Sequence, residues 1–357
     1  MSQRILIALS SHGFGHLGQT APVIDVLRPR RPQVRFVVRS RLPAFKLREK
    51  LGDDVEIQAA ELDIGVIQKD ALNIDVAATA EKYAVFHQHW EALLEREKQA
   101  LRDIHPDLII ANIPYLTLAA AQQLGIPNLA LGSLNWAELY QHFFAARPES
   151  ATILTQMLDA YNRAQCFLQP APAMRMPGIE NGLAIGPVAQ LGNDVAGALR
   201  AGLSIDPATA LVLFSVGGME ISTPCDGWPR FPGLHLLVPE TWNSRHPDTT
   251  ALETLGYSFA DLMRSCDALI AKPGYGSFVE AACLGKPVLY LPRPNWPEAP
   301  ILIDWLQQHG TCRQLQYADF HAGALATPVS DLLHRAGPGT ITPSGIEAAV
   351  DTICRYL

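Results

Sequence analysis

The sequence predicts an α/β protein built as two open, parallel-sheet domains that face one another across a central cleft. Three observations carry this. Short apolar runs alternate with stretches of helical periodicity, as parallel strands joined by crossover helices require. The alternation stops once, at the proline- and glycine-rich PAPAMRMPGIENGLAIGP, residues 170–187, and then resumes. Finally, glycine-bearing loops follow directly on predicted strands at the start of each half.

In the first half the strands are ILIAL (5–9), VRFVV (34–38), a short one at 55–57, LIIA (108–111), NLALG (128–132) and CFLQ (166–169). The longest intervening helix is expected from about 77 to 103, where Tyr83, Phe86, Trp90, Leu93, Leu94 and Leu101 recur near helical spacing and read as core. The second half restarts with ALVLFS (210–215), LHLLV (234–238), DALIA (267–271) and PVLYL (287–291). The expected division is a first domain over 1–170, a linker over 171–190 and a second domain over 191–342, with a helix at about 343–357 packing back on the first. Open α/β sheets bind ligands at the carboxyl ends of their strands, so two facing domains would share a cleft.

Composition narrows the function. With 357 residues, 48% hydrophobic and 18% charged, the chain can bury two cores and is not disordered. A net charge of −7 gives no general attraction to nucleic acid. The six cysteines are scattered without a C-x-x-C pair, so neither a zinc site nor a disulfide framework is indicated, and a cytoplasmic setting is expected. No apolar run approaches the roughly 18 residues of a spanning helix, so no integral membrane segment is expected.

The loops carry the chemistry. SHGFGH (11–16) lies between the first strand and a helix, where Gly13 and Gly15 permit close backbone approach and the helix start offers free N–H groups. His16 can accept a proton from a hydroxyl, or else cap or pack under the helix. In the second half KPGYGSFVE (272–280) follows a strand and opens a helix. Gly274, Gly276 and Ser277 would present N–H groups and a hydroxyl to a diphosphate, Lys272 a point charge, and Glu280 two acceptors for a ribose diol. Nine basic residues lie between Arg28 and Lys50. They read as a solvated face, or, for Arg39 and Arg41 just past the second strand, as a hold on an acceptor carboxylate or phosphate. Trp136 either stacks on a sugar ring or packs on the core. The acidic loop ELDIGVIQKDALNID (61–75) places Asp63 either in solvent or beside His16, whose pKa it would raise.

KPGYGSFVE resembles the donor-binding motif of glycosyltransferases of the GT-B fold, which reads H-C-G-W-N-S-x-x-E and, some 16 residues on, W-x-D-Q. Trp296, Pro297, Glu298 and Ala299 fall where the second part would. Lys272 stands where that family has histidine, and Ala299 where it has glutamine. The front loop is similar to the G-G-H loop of the same superfamily, and SVGGM (215–219) to its second glycine turn. SHGFGH, DIG, LNID and PGYG resemble the glycosyltransferase-like half of plant L-arabinokinases. The resemblance implies two Rossmann-like domains and a UDP-sugar co-substrate, with no cofactor and no metal. It places the diphosphate against Gly15, Gly217, Gly218, Lys272, Gly274, Tyr275, Gly276 and Ser277, the ribose on Glu280 and sugar hydroxyls on Glu298. It makes His16 the base that deprotonates an acceptor hydroxyl, oriented by Asp63; Arg39, Arg41 and Trp136 are candidates for the acceptor side by their place after strand ends.

The reading is therefore an inverting, metal-independent glycosyltransferase acting on a small or lipid-linked acceptor, in the cytoplasm or at the inner membrane face. The sequence has no D-x-D triplet of the kind that chelates a metal-bound diphosphate. A UDP-sugar 2-epimerase and a non-catalytic sugar-nucleotide binder share the fold and stand as alternatives.

Overall fold

A computed structural model of the chain describes residues 3–70, 73–215 and 225–357. It divides into two compact units, one of Met1–Gln68, Ile74–Val188 and Pro343–Leu357, the other of Lys69–Asn73 and Ala189–Thr342.

The first unit runs β1 (Arg4–Leu9), α1 (Gly15–Arg30), β2 (Arg35–Arg39), α2 (Ala44–Leu51), β3 (Glu56–Gln58), α3 (Val76–Gln88), α4 (Trp90–Ile104), β4 (Leu108–Asn112), α5 (Tyr115–Gln123), β5 (Asn128–Leu131), α6 (Trp136–Phe144), α7 (Ser150–Asn162), β6 (Cys166–Pro170) and β7 (Gly182–Ile185). Its seven strands pair in the order β3-β2-β1-β4-β5-β6-β7, and every pairing is parallel. A parallel sheet is covered by helices on both faces, which is why β4 and β5 are buried throughout and, apart from Asn112 and Asn128 at their ends, apolar rather than alternating. Asp75 and Asn135 cap α3 and α6, accepting from the backbone N–H of Ala78 at 3.0 Å and of Glu138 at 2.8 Å.

Two expectations need correction here. The stretch 170–187 contains β7, so the first sheet extends through most of what reads as a linker; β7 is a short edge strand with three exposed residues and lacks an apolar signal. The single long helix is two, α3 and α4, broken at His89, whose backbone N–H turns back to the carbonyls of Val85 and Phe86.

The second unit contains α8 (Ala196–Leu203), β8 (Ala210–Ser215), β9 (Leu234–Val238), β10 (Thr249–Ala251), α9 (Phe259–Ser265), β11 (Ala268–Ala271), α10 (Tyr275–Leu284), β12 (Val288–Tyr290), α11 (Ala299–His309), β13 (Cys312–Gln314), α12 (Tyr317–His321) and α13 (Ala326–Leu333). Its strands pair in the order β10-β9-β8-β11-β12-β13, again all parallel. The last helix, α14 (Gly345–Cys354), returns to the first unit, where Ala349, Val350 and Ile353 join the core beneath α1. Arg30 on α1 reaches Glu347 and, at 2.6 Å, Asp351. The approach is tight: a Cβ on Gly345 would lie 1.9 Å from the Gly186 carbonyl oxygen.

Both sheets carry a reversal of strand order at one place, between β1 and β4 in the first unit and between β8 and β11 in the second. Connections leave such a point in opposite directions and open a crevice at the carboxyl ends of the two strands. The loops singled out in the sequence lie there: residues 10–14 after β1, and 272–274 after β11.

Candidate functional site

The crevice of the first unit is lined by polar residues that are almost wholly buried. His16, in the first turn of α1, is 8% exposed, and its Nδ1 lies 2.8 Å from Oδ1 of Asn112, the last residue of β4. The side-chain nitrogen of Asn112 meets three oxygens: the His16 carbonyl at 3.2 Å, Gln19 Oε1 at 3.3 Å and Thr20 Oγ1 at 3.1 Å. Gln19 gives its own N–H to Ser133 Oγ at 2.8 Å and Thr20 gives its hydroxyl to the His16 carbonyl, so both present lone pairs to Asn112. The amide orientation is thereby determined, and Asn112 Oδ1 can only accept. His16 must carry its proton on Nδ1, which leaves the lone pair on Nε2. Burial pulls the imidazole down to about 4 against the opposing Asn112 bond, so His16 is neutral at physiological pH.

Asp63 is also buried, and it does not orient His16. Ser10 Oγ donates to one of its oxygens at 3.1 Å and Trp136 Nε1 to the other at 2.8 Å. Burial raises its carboxyl to about 6, with the two hydrogen bonds pulling the other way. The Trp136 indole stands between the parts of this network, 5.7 Å from the His16 ring centroid and edge-on to His12 at 5.4 Å. It is fully buried, so of its two readings the structure takes core packing over a sugar platform. Gly65, at φ +60°, comes so close to His12 that a Cβ would lie 2.9 Å from the His12 Cβ, which accounts for glycine in the DIG turn.

The basic residues proposed for an acceptor are engaged elsewhere. Arg39 is buried and ion-paired with Glu97 of α4, which also accepts from Thr117 Oγ1 at 2.8 Å. Arg41 is exposed and pairs with Glu61 at 2.9 Å. Gly15 opens α1 with its backbone exposed and no neighbour within 4 Å of where a Cβ would stand.

In the second unit β11 leads through Lys272 and Pro273 into α10. Gly274 occupies the cap position in extended conformation and, being glycine, brings no capping side chain of its own to the start of the helix. A Cβ on Gly276 would meet nothing within 4 Å, while Ser277 Oγ lies 2.5 Å from Ser215 Oγ and ties the end of β8 to the first turn of α10. The Tyr275 side chain is in the apolar core, which leaves only its backbone for a ligand. Burial, and next the charge of Arg293, lowers the Lys272 ammonium to about 8. Glu280 is partly buried one turn into the helix. Glu298 is buried and accepts from Trp296 Nε1 at 3.1 Å. Gly217 and Gly218 lie outside the described residues.

Arg293, three residues past the end of β12, is a buried cation that motif reading passes over, and Asn112 is a strand-end residue whose role as the His16 partner the sequence does not state. Each had one local signal: a polar residue closing an otherwise apolar strand, LIIAN, and an arginine between two prolines, LPRP. Among the described residues no cluster of three or more histidine, cysteine or acidic side chains could hold a metal, and no helix is long and apolar enough to cross a membrane.

No family model matches the chain. It is 24% identical over 309 residues to L-arabinokinase from Arabidopsis thaliana, a match that takes in 84% of this chain and 29% of that protein. The chain thus spans under a third of the length of the curated relative it matches. Among solved structures it is similar to the calicheamicin glycosyltransferase, at TM-score 0.64 and 16% identity, covering 100% of this chain and 99% of the other. It is also similar to a UDP-GlcNAc 2-epimerase from Neisseria meningitidis, solved with UDP-GlcNAc bound, at TM-score 0.55 and 14% identity with 99% of each chain covered. At such identities the likeness is one of architecture: the chain has the GT-B fold, two Rossmann-like α/β units, which glycosyltransferases and sugar-nucleotide 2-epimerases both use.

Proposed function

We propose that the chain is an inverting, metal-independent glycosyltransferase that moves a hexosyl or N-acetylhexosaminyl group from a UDP-sugar to a hydroxyl acceptor. The observation that carries the reading is the state of His16: neutral, protonated on Nδ1 by virtue of Asn112, and holding its lone pair on Nε2. A base in that state takes the acceptor proton at Nε2 as the hydroxyl oxygen bonds to the anomeric carbon, and the bond from that carbon to the diphosphate breaks with inversion. Negative charge then gathers on the departing UDP. The start of α10, with backbone N–H groups at Gly274, Tyr275, Gly276 and Ser277, and the Lys272 ammonium are suited to stabilise it. Glu280 would hold the ribose and Glu298 the sugar. The reading carries a cytoplasmic setting, or the inner membrane face where the acceptor is lipid-linked.

The fold shared with 2-epimerases supports a second reading, in which UDP-sugar is interconverted with no acceptor. One assay separates them: UDP release from a panel of UDP-sugars, with and without hydroxyl acceptors, by the wild type and His16→Ala, repeated in chelator. Acceptor-dependent release, undiminished by chelator and lost in His16→Ala, supports transfer; sugar conversion without acceptor supports the epimerase. Neither activity, with UDP still bound, leaves a sugar-nucleotide binding protein.

A further inference from the structure

The loop after β12, LPRPNWPE (291–298), carries a charge that the described residues do not satisfy. Arg293 is 6% exposed, and its guanidinium carbon lies 4.1 Å from the centroid of the Trp296 ring. Stacking uses the face of the group, whereas its donors lie in the plane and point outward along the edge. Two of them, Nε and Nη2, are buried without a hydrogen-bond partner. These two atoms form the side of the guanidinium that grips a carboxylate or phosphate with parallel bonds. The same pair does so elsewhere in this unit: Arg230 Nε and Nη2 donate to the two oxygens of Asp248 at 2.8 and 2.7 Å.

Burying an unpaired donor of a charged group is among the costlier features a fold can carry. Here a second cation compounds it, since Lys272 lies within the field of Arg293. Glu298 and Asp70 contribute negative charge to the surroundings of Arg293, yet neither reaches Nε or Nη2. The Trp296 N–H, held on Glu298, fixes the indole against which the guanidinium rests, so the fork is oriented before anything binds.

We propose that Arg293 is an oxyanion-binding residue of this unit, taking two coplanar oxygens of a phosphate or carboxylate through Nε and Nη2 beside Lys272. The inference rests on the nucleotide-sugar reading and deepens it, because such a ligand offers the oxyanion in two places, its diphosphate or an acid group on the sugar.

The test compares wild type, Arg293→Gln and Arg293→Lys by calorimetric titration of uridine, inorganic pyrophosphate, UDP, UDP-glucose and UDP-glucuronate, with melting temperatures of the free proteins. If the diphosphate is the partner, Arg293→Gln weakens pyrophosphate, UDP and both UDP-sugars about tenfold or more and leaves uridine unchanged. If the acid group is the partner, only UDP-glucuronate weakens. Arg293→Lys recovers little in either case, because an ammonium cannot make the paired in-plane bonds. Arg293→Gln should also melt at or above the wild-type temperature, as it removes a buried unpaired charge. Equal affinities for every probe overturn the proposal while the nucleotide-sugar reading stands, and a lowered melting temperature alongside them assigns Arg293 to the Trp296 stack. Pyrophosphate binding that depends on Arg293, without UDP binding, upholds the proposal and removes the nucleotide. A wild type that binds none of the anions overturns both.

Discussion

Replacing Asn112 by aspartate tests the base assignment most directly, because it places a charge opposite His16 on a side chain of nearly the same shape. The carboxylate would sit where Oδ1 now lies, 2.8 Å from Nδ1. An opposite charge at that range raises a pKa by about 1–3 units. His16, held at about 4 by burial, would then titrate between about 5 and 7. The sign follows from the mechanism: only neutral imidazole accepts a proton, so activity is lost as pH falls through the His16 pKa. The acid limb of kcat/KM should therefore move up by the same 1–3 units. Above it the plateau should rise, by about tenfold for a two-unit shift if half the proton has moved in the transition state. The substitution also removes the amide nitrogen from three oxygens, at a stability cost of about 1–3 kcal/mol for each one left unsatisfied. NMR titration of the His16 ring gives the pKa directly, and pH-rate profiles give the limb. A His16 pKa that rises while the limb stays in place would refute the role of His16 as the base. A pKa that does not rise would refute the pairing itself.

Other substitutions probe the remaining parts. His16 loses stability as pH falls from its unfolded value of 6.5 to about 4, since the unfolded chain binds the proton first, whereas Asp63, raised from 3.8 to about 6, gains over nearly the same range. The two contributions offset, and His87, also held near 4 by burial, adds a slope of the same sign as His16, so Asp63→Asn should steepen the rise of stability with pH by about 1 kcal/mol per pH unit between pH 4 and 6 relative to wild type, and His16→Ala should flatten it by a similar amount, both read by denaturant melts; an unchanged slope in His16→Ala would contradict the buried neutral His16. Gly276→Val adds a side chain into open space at the start of α10. The melting temperature should hardly change while UDP affinity falls about tenfold, and unaltered affinity would move the phosphate away from this turn. Gly345→Ala sets a Cβ 1.9 Å from the Gly186 carbonyl oxygen, backbone against backbone, and should cost about 1–3 kcal/mol and loosen α14 to proteolysis. A melting temperature equal to wild type would mean that α14 is held by its apolar face and by the Arg30 pairs alone.

How far the sequence could be read depended on whether the signal was local. Central strands such as ILIAL and LIIA are buried on both faces and announce themselves as apolar runs. The edge strands β7, β10 and β13 do not: GLAI is mostly exposed, while TTA and CRQ are too short and polar for a pattern. The break between α3 and α4 carries neither glycine nor proline, and it coincides with His87 and Trp90 stacking on Tyr115, a contact that no window of sequence contains. The loops of the candidate site were legible because glycine marks them. Their partners were not, since Asn112 lies 96 residues from His16, and Glu97, which claims Arg39, lies 58 residues away on a helix that reads as an ordinary amphipathic one.

The two units place polar groups at equivalent points of equivalent sheets, and the groups differ in one physical respect. Around His16 the bonds interlock: Asn112 accepts from the ring and shares its N–H groups among the helix carbonyl, Gln19 and Thr20, and Ser10 and Trp136 divide the oxygens of Asp63. A closed network of this kind fixes one tautomer and resists rearrangement, which is what proton transfer from a single acceptor hydroxyl needs. Past β11 and β12 the balance is reversed, with a helix that begins on glycine, a lysine shifted by burial, and an arginine whose Nε and Nη2 have no partner among the described residues. Such an arrangement costs stability in the free protein and returns it when an anion binds, so ligands with two phosphates should raise the melting temperature far more than uridine. The first unit thus holds a neutral group in a single state and the second carries unsatisfied positive charge, which are the two demands of the proposed reaction: a proton taken from one substrate and an anion expelled from the other.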